Sequence, residues 1–426
     1  MSSLRPRLRD AVLLAAVVST FLLGSGSAVA LLTDVDPGFG EGGATSVPIK
    51  GSSAVSGIVQ RDDGVFVIGG SVGQSFMTVA LAQSGDLLDP YGNGGMSSVG
   101  NGGMSSVLIP GASDVTATDV ALQANDRVVV VGYESGNSGS DRFVVARFRA
   151  GGAPDESFSN DGVAFATFSQ GDAYGYGVTV QPTGAIAVVG EVDPTKGVSN
   201  PAIARFDPDG SLDRSFGEHG RAVVRVPDGI RGYDSPWRVV SQSQGRLAMA
   251  GWAERGKSNY KTLAMRLRSD GSLDTSFSHD GVAIVDVDGV DNYAYGLAED
   301  SAKLVMGIHT SNSDAAFVRL DGDGSRDSTF DGDGVAIHSL SIPWEVRGVA
   351  VLPDHRVIGV NGFSSGPNIA VLRPRGALDT AYSGDGEGVG PYKGANGEGL
   401  VLLANGKVVV AGQQGSTVIA TRFSAP

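Results

Sequence analysis

An Asp, two further residues, an aromatic ring and a Gly-rich turn recur seven times along this chain, beginning at Asp34, Asp89, Asp155, Asp213, Asp274, Asp327 and Asp379. Such repetition constrains a fold more than local propensity does, because every copy must build the same unit and bury its apolar faces on its neighbours. Six copies read DPGFGEGG, DESFSNDG, DRSFGEHG, DTSFSHDG, DSTFDGDG and DTAYSGDG; the second in chain order carries Tyr91 as its ring. The intervals are 55, 66, 58, 61, 53 and 52 residues. The longest has a visible cause: GNGGMSSV stands twice in tandem, at 92–99 and 100–107. Extra loop length costs little entropy, so the second copy reads as a surface insertion.

Each copy holds four short apolar runs, which in the third are GVAFATF, YGVTVQ, AIAVVG and AIARF. Turn clusters such as Gln181-Pro182-Thr183-Gly184 bound them, and no stretch between them has room for a helix of about ten residues. The 64 Gly among 426 residues, with 7% aromatic and 18% charged side chains, agree with short strands and many turns. The expected fold is all-β: a seven-bladed β-propeller of four-stranded blades. A linear β-solenoid is the alternative, but solenoid coils are usually shorter and need caps. The run starting at Gly57, Asp119, Gly177, Arg238, Gly296, Gly348 and Gly399 has Gly in five of seven copies, which suits crowding at a central axis, so it is assigned as the inner strand. The order then predicts that ATSVPI (44–49) joins the last blade, so that the N-terminal strand closes the ring without an open edge.

The segments RFDPDGSLDRSFGEHG (205–220) and RLRSDGSLDTSFSHDGVAIV (266–285) resemble the delta-60 repeat of exported bacterial proteins, a β-propeller family of unknown function. The resemblance spans 34–426. The copies at 34–88 and 89–154 depart from it by lacking the DGSLD run. It implies no catalytic residues.

Residues 1–30 read as a signal peptide: Arg5, Arg7 and Arg9 precede an apolar stretch from Ala11 to Leu23, and Ala28-Val29-Ala30 offers a cleavage site. Thirteen residues are short for a bilayer span of about 20. A single propeller domain over 31–426, monomeric and secreted or periplasmic, is expected, with no membrane attachment after cleavage. The formal charge of −14 argues against a nucleic-acid partner, and the absence of Cys excludes thiol chemistry and disulfides.

The loops that vary among copies, including 133–142, 191–201 and 252–261, fall on one face, which is the expected binding face. At the mouth of the inner strands stand Tyr174, Tyr176, Trp237, Tyr293, Tyr295 and Trp344, an arc of rings suited to a sugar or an apolar ligand; packing between blades is the competing role. Asp119 and Arg238 join them as candidate ligand contacts, or pair across the channel. No cofactor is expected, with calcium left open at Asp114, Asp172 and Asp291, which equally suit closing the turn into the inner strand. Asp321 to Asp327 resembles the opening of a calcium loop but has Arg326 where such loops place Gly, and it reads as a turn. Apparent nucleophile-elbow and dinucleotide motifs at 69–73 and 38–43 lack the helix both require. The five His share no repeat position. The functional expectation is a non-catalytic exported propeller binding an extracellular protein, glycan or small ligand through its variable face. The alternative is a hydrolase or lactonase with channel carboxylates.

Overall fold

The computed structural model describes residues 34–92, 102–136, 140–195, 198–227, 232–256, 259–363 and 365–426; residues 1–30, read above as a signal peptide, lie outside them. Seven antiparallel four-stranded sheets form the blades. In chain order their inner strands are Ser53–Gln60, Ala112–Gln123, Asp172–Val180, Asp234–Ser241, Asn292–Asp300, Val346–Val351 and Asn396–Leu402, giving blades 1 to 7. Blade 7 takes its fourth strand from the other end of the sequence: Ala44–Pro48 pairs with Thr417–Phe423, Ala44 opposite Thr421 and Pro48 opposite Thr417. The ring is therefore closed as the repeat order predicts.

Why the innermost column is Gly follows from distances between neighbouring blades. A Cβ on Gly177 would lie 2.6 Å from the Trp237 carbonyl oxygen, and one on Gly348 would lie 2.7 Å from Leu400 Cδ2. Each of these neighbours belongs to the next inner strand. Outside this column the strands alternate between faces, so each sheet offers an apolar face to both neighbours. One apolar cluster fills each of the seven interfaces; between blades 3 and 4, for example, Ala187, Val189 and Ile203 meet Val239, Leu247, Met249, Leu263 and Met265.

The Asp-x-x-aromatic loop is a clip between blades. Arg147, Arg205, Arg266 and Arg319, each on a third strand, donate to Asp155, Asp213, Asp274 and Asp327 at 2.6–2.8 Å. Each guanidinium also lies 4.5–4.9 Å above the buried ring of Phe158, Phe216, Phe277 or Phe330. A second nitrogen of each reaches a carbonyl of the next blade, as Arg205 does to Ser269 (2.7 Å) and Arg319 to Pro374 (2.7 Å). In blade 7 the clip joins the two ends of the sequence, since Arg422 donates to Asp36 (2.6 Å) above Phe39. The carboxylate acting in the first copy is thus Asp36, not Asp34, whose backbone carbonyl accepts from the Ser424 amide (2.7 Å) and whose side chain accepts from the Ser383 hydroxyl. Blades 1 and 6 carry Ala80 and Val371 where the Arg would stand. There Arg61 reaches Ala150 (2.6 Å), and Arg356 and Arg373 hold Asp379 (3.3 and 3.2 Å).

Candidate functional site

Every inner strand breaks register at the same place, between Val55 and Gly57, Ala117 and Asp119, Gly175 and Gly177, Pro236 and Arg238, Ala294 and Gly296, Val346 and Gly348, and Gly397 and Gly399. A β-bulge inserts one residue that opposes no partner and re-aims its side chain. The seven bulge residues are Ser56, Thr118, Tyr176, Trp237, Tyr295, Arg347 and Glu398. The fold repeats and the chemistry does not: two hydroxyls, three aromatics and an ion pair follow one another around the axis.

The aromatic third is continuous. Tyr176 stacks on Trp237 with centroids 4.3 Å apart, and Trp237 meets Tyr295 edge-on at 5.5 Å. Trp252 lies 5.4 Å from Trp237 and 5.7 Å from Tyr293, and Tyr293 stacks on His309 at 5.9 Å. At the other end Tyr133 stands edge-on to Tyr174 at 5.1 Å. These rings are half-buried, so part of each faces solvent. The Tyr176 hydroxyl donates to Glu191 (2.8 Å), and burial and that carboxylate push its phenol well above the ordinary range. Burial pushes Tyr293 and Tyr295 up to about 12, assisted by Asp291 and Glu345 respectively.

Beside this wall a chamber of about 180 Å³ on the axis is lined by Asp119, Arg238, Arg347 and Glu398 together with Gly57, Gly296, Gly348 and Gly399. Arg347 bridges Glu345 (3.0 Å) and Glu398 (2.8 Å). Asp119 accepts from the amides of Val120 (2.9 Å) and Val178 (3.0 Å). Burial raises both the Asp119 and the Glu398 carboxyl, against the lowering charges of Arg238 and Arg347. Asp119 and Arg238 share the chamber, but no ion pair joins them among the described residues.

Five of the six rings read from the sequence, Tyr174, Tyr176, Trp237, Tyr293 and Tyr295, therefore meet at one mouth. Trp344 does not. It is completely buried in the interface between blades 5 and 6, with Phe317, Phe330 and Val346. The reason is parity: Trp344 precedes its Gly by four residues, whereas Tyr174 and Tyr293 precede theirs by three, and one step along a strand reverses the face. Tyr133, Trp252 and His309 were not anticipated. They occupy one column of the second strands, opposite Thr116, Ser235 and Tyr293, and aligning that column across the copies would have exposed them. Asp114, Asp172 and Asp291 lie on different blades. Asp172 accepts from the Asp141 amide (3.0 Å) and Asp291 from the Tyr260 amide (2.9 Å), each pinning an inner strand to the preceding blade. Among the described residues no group of three His, Asp or Glu could hold a metal ion. In the calcium-like segment Asp323 accepts from the Ser325 amide (3.0 Å) and hydroxyl (2.6 Å), the arrangement of a turn.

The geometry defines a β-propeller with a graded channel mouth. Residues 123–158, 181–216, 242–277 and 304–330 match the family model described as a domain of unknown function (DUF5122) beta-propeller, so blades 2 to 5 are similar to repeats of a propeller family without an assigned role. No curated protein matches the chain. Among solved structures, selenomethionine-substituted virginiamycin B lyase from Staphylococcus aureus superposes with a TM-score of 0.54 at 12% identity, over 89% of this chain and 99% of that one. A catalytically inactive variant of that lyase with quinupristin gives 0.52 at 11% identity, over 88% and 98%. A gluconolactonase from Xanthomonas campestris gives 0.40 at 13% identity, over 93% of each. At such identities the lyase shares the fold alone.

Proposed function

We propose that this chain is an exported, non-catalytic β-propeller that binds a glycan, a small ligand or a protein partner at the channel mouth on its variable loop face. The observation that carries this reading is the bulge column. Seven copies build the same backbone irregularity, yet in blades 3, 4 and 5 it presents Tyr176, Trp237 and Tyr295, half-buried and extended by Trp252 and Tyr293 into one aromatic wall. Flat rings with polar edges bind ligands that are apolar on one side and wet on the other. Export would rest on residues 1–30. The test is a glycan array beside a thermal melt, using the mature chain and its Trp237→Ala/Tyr295→Ala variant. Binding is expected to disappear while the melt falls far less than for a buried ring such as Phe277→Ala. An unchanged array signal removes these residues from the site.

A second reading, a hydrolase or lactonase, draws on Asp119 and Glu398, two carboxyls held above their usual range in a chamber shared with Arg238 and Arg347, as acid–base groups are. Turnover of sugar lactones or aryl esters that is lost in Asp119→Asn would favour it. Absence of turnover with and without Ca²⁺ keeps the binding reading.

A further inference from the structure

The aromatic wall becomes an acidic one at its blade 3 end. In the ladder between Asp172–Val180 and Ile186–Thr195, Asp172 stands directly opposite Asp193, and Tyr174 directly opposite Glu191. Like charges in opposed positions destabilise a sheet. Burial, Glu191 and Asp172 push the Asp193 carboxyl up to about 6, and its Oδ1 is buried without a hydrogen-bond partner among the described residues. Asp141 adjoins this pair through its amide, which donates to Asp172. The nearby ion pairs among the described residues, Arg142–Glu134 and Arg255–Asp234, include none of Asp141, Asp172, Glu191 and Asp193. At the opposite end of the wall the protein already sets a cation on it, since the Arg347 guanidinium lies 5.4 Å from the Tyr295 ring centre.

We propose that the mouth recognises an organic cation, a protonated or quaternary amine on an apolar body, whose ammonium group sits against Tyr174, Tyr176 and Trp237 and within the field of Asp172, Glu191 and Asp193. This inference rests on the mouth being a ligand site and adds the charge of what it takes. Two independent features converge: ring faces attract a cation through their quadrupole, and carboxylates that form no ion pair among the described residues favour a positive guest over a neutral or anionic one. A hard metal ion fits less well. It would need six or more converging oxygens, whereas no such cluster of even three ligands exists among the described residues. A bulky, weakly hydrated ammonium needs no coordinating set.

The test is calorimetry on the mature chain with choline and with 3,3-dimethylbutan-1-ol, its uncharged isostere. Choline is expected to bind about tenfold or more tighter than the isostere, and to weaken as salt is raised. The Glu191→Gln/Asp193→Asn variant should lose about tenfold for choline while keeping its weak affinity for the isostere. Equal affinities for the two compounds, no binding of either, or full choline binding by the double variant would each overturn the proposal. The broader reading is judged separately: if neutral sugars bind and Trp237→Ala abolishes that, the mouth stands as a site of a different ligand class.

Discussion

At the scale of single residues, one step along the chain separates a ring at the channel mouth from a ring in the core. Trp237 is half-buried at the mouth, whereas Trp344 is completely enclosed. Trp344→Ala is therefore expected to cost about 3–5 kcal/mol of stability, the usual range for a buried large ring, and to leave ligand binding intact; Trp237→Ala should do the reverse. Paired denaturation and binding curves check both. Asp193 gives a second prediction. Its folded carboxyl, near 6, is raised above the unfolded value of about 3.9. The folded state thus holds the proton better, and this group's contribution to stability grows as pH falls through 6 towards 4. Asp193→Asn should raise the melting temperature at pH 7.5 and have little effect at pH 4. A variant that melts at or below the wild-type temperature at pH 7.5 would contradict the like-charge reading. Five of the rings were legible in the sequence because the repeat places them one or three residues before the same inner-strand position. The bulges were not, since an unpaired residue looks like any other until the partner strand is known.

At the scale of the element, the clip does the work that a longer outer strand would do. The fourth strands are short, Arg221–Val223 in blade 3 and only Glu387–Gly388 in blade 6, so side-chain ties supplement the ladder. Arg266 and Asp274 are both buried, and removing one partner of a buried pair commonly costs about 3–5 kcal/mol because the other charge is stranded. Arg266→Ala is expected to lower stability by that order. Arg266→Ala with Asp274→Ala should cost less than the sum of the single changes, and a double-mutant cycle in urea measures the difference. The clips are also expected to set the acid limit of the fold. Burial alone would raise Asp327, but bonds from Lys303, Thr329 and Arg319 outweigh it and hold the carboxyl well below its usual range; Ser and Arg partners do the same at Asp155, Asp213 and Asp274. Lowered carboxylates stabilise fully above the unfolded value and lose that contribution as pH falls below about 4. The urea midpoint should hold above pH 5 and drop steeply below 4. The clip was half visible in the sequence: the Asp and the ring recur, but the Arg eight residues before the Asp passed as part of a strand. The first copy was read as starting at Asp34, because only the meeting of the chain's ends shows that Asp36 faces Arg422.

At the scale of the whole molecule, the ring depends on that meeting. Ala44, Val47 and Ile49 are 1%, 4% and 4% exposed, and Asp36 accepts from both Arg422 and Lys407 at 2.6 Å. Deleting residues 31–50 removes the fourth strand of blade 7 and its clip, at roughly 1.5–3 kcal/mol for each large apolar side chain alone. It should cause aggregation or a much lower melting temperature, and restoring the segment after Pro426 should rescue it. The number of blades, their inner strands and this closure were all legible, because repeat arithmetic fixes topology. The make-up of the mouth was less so, because it depends on which side chains stand at the seven bulges. The central claim is that a ligand binds at that mouth, and 19F NMR of the 5-fluorotryptophan protein tests it most directly, since the chain has three tryptophans. During titration with choline, or with a sugar that raises the melting temperature, the Trp237 and Trp252 resonances should shift together while that of buried Trp344 stays in place. A ligand that binds by calorimetry yet leaves Trp237 and Trp252 unmoved would place the site elsewhere and contradict the account.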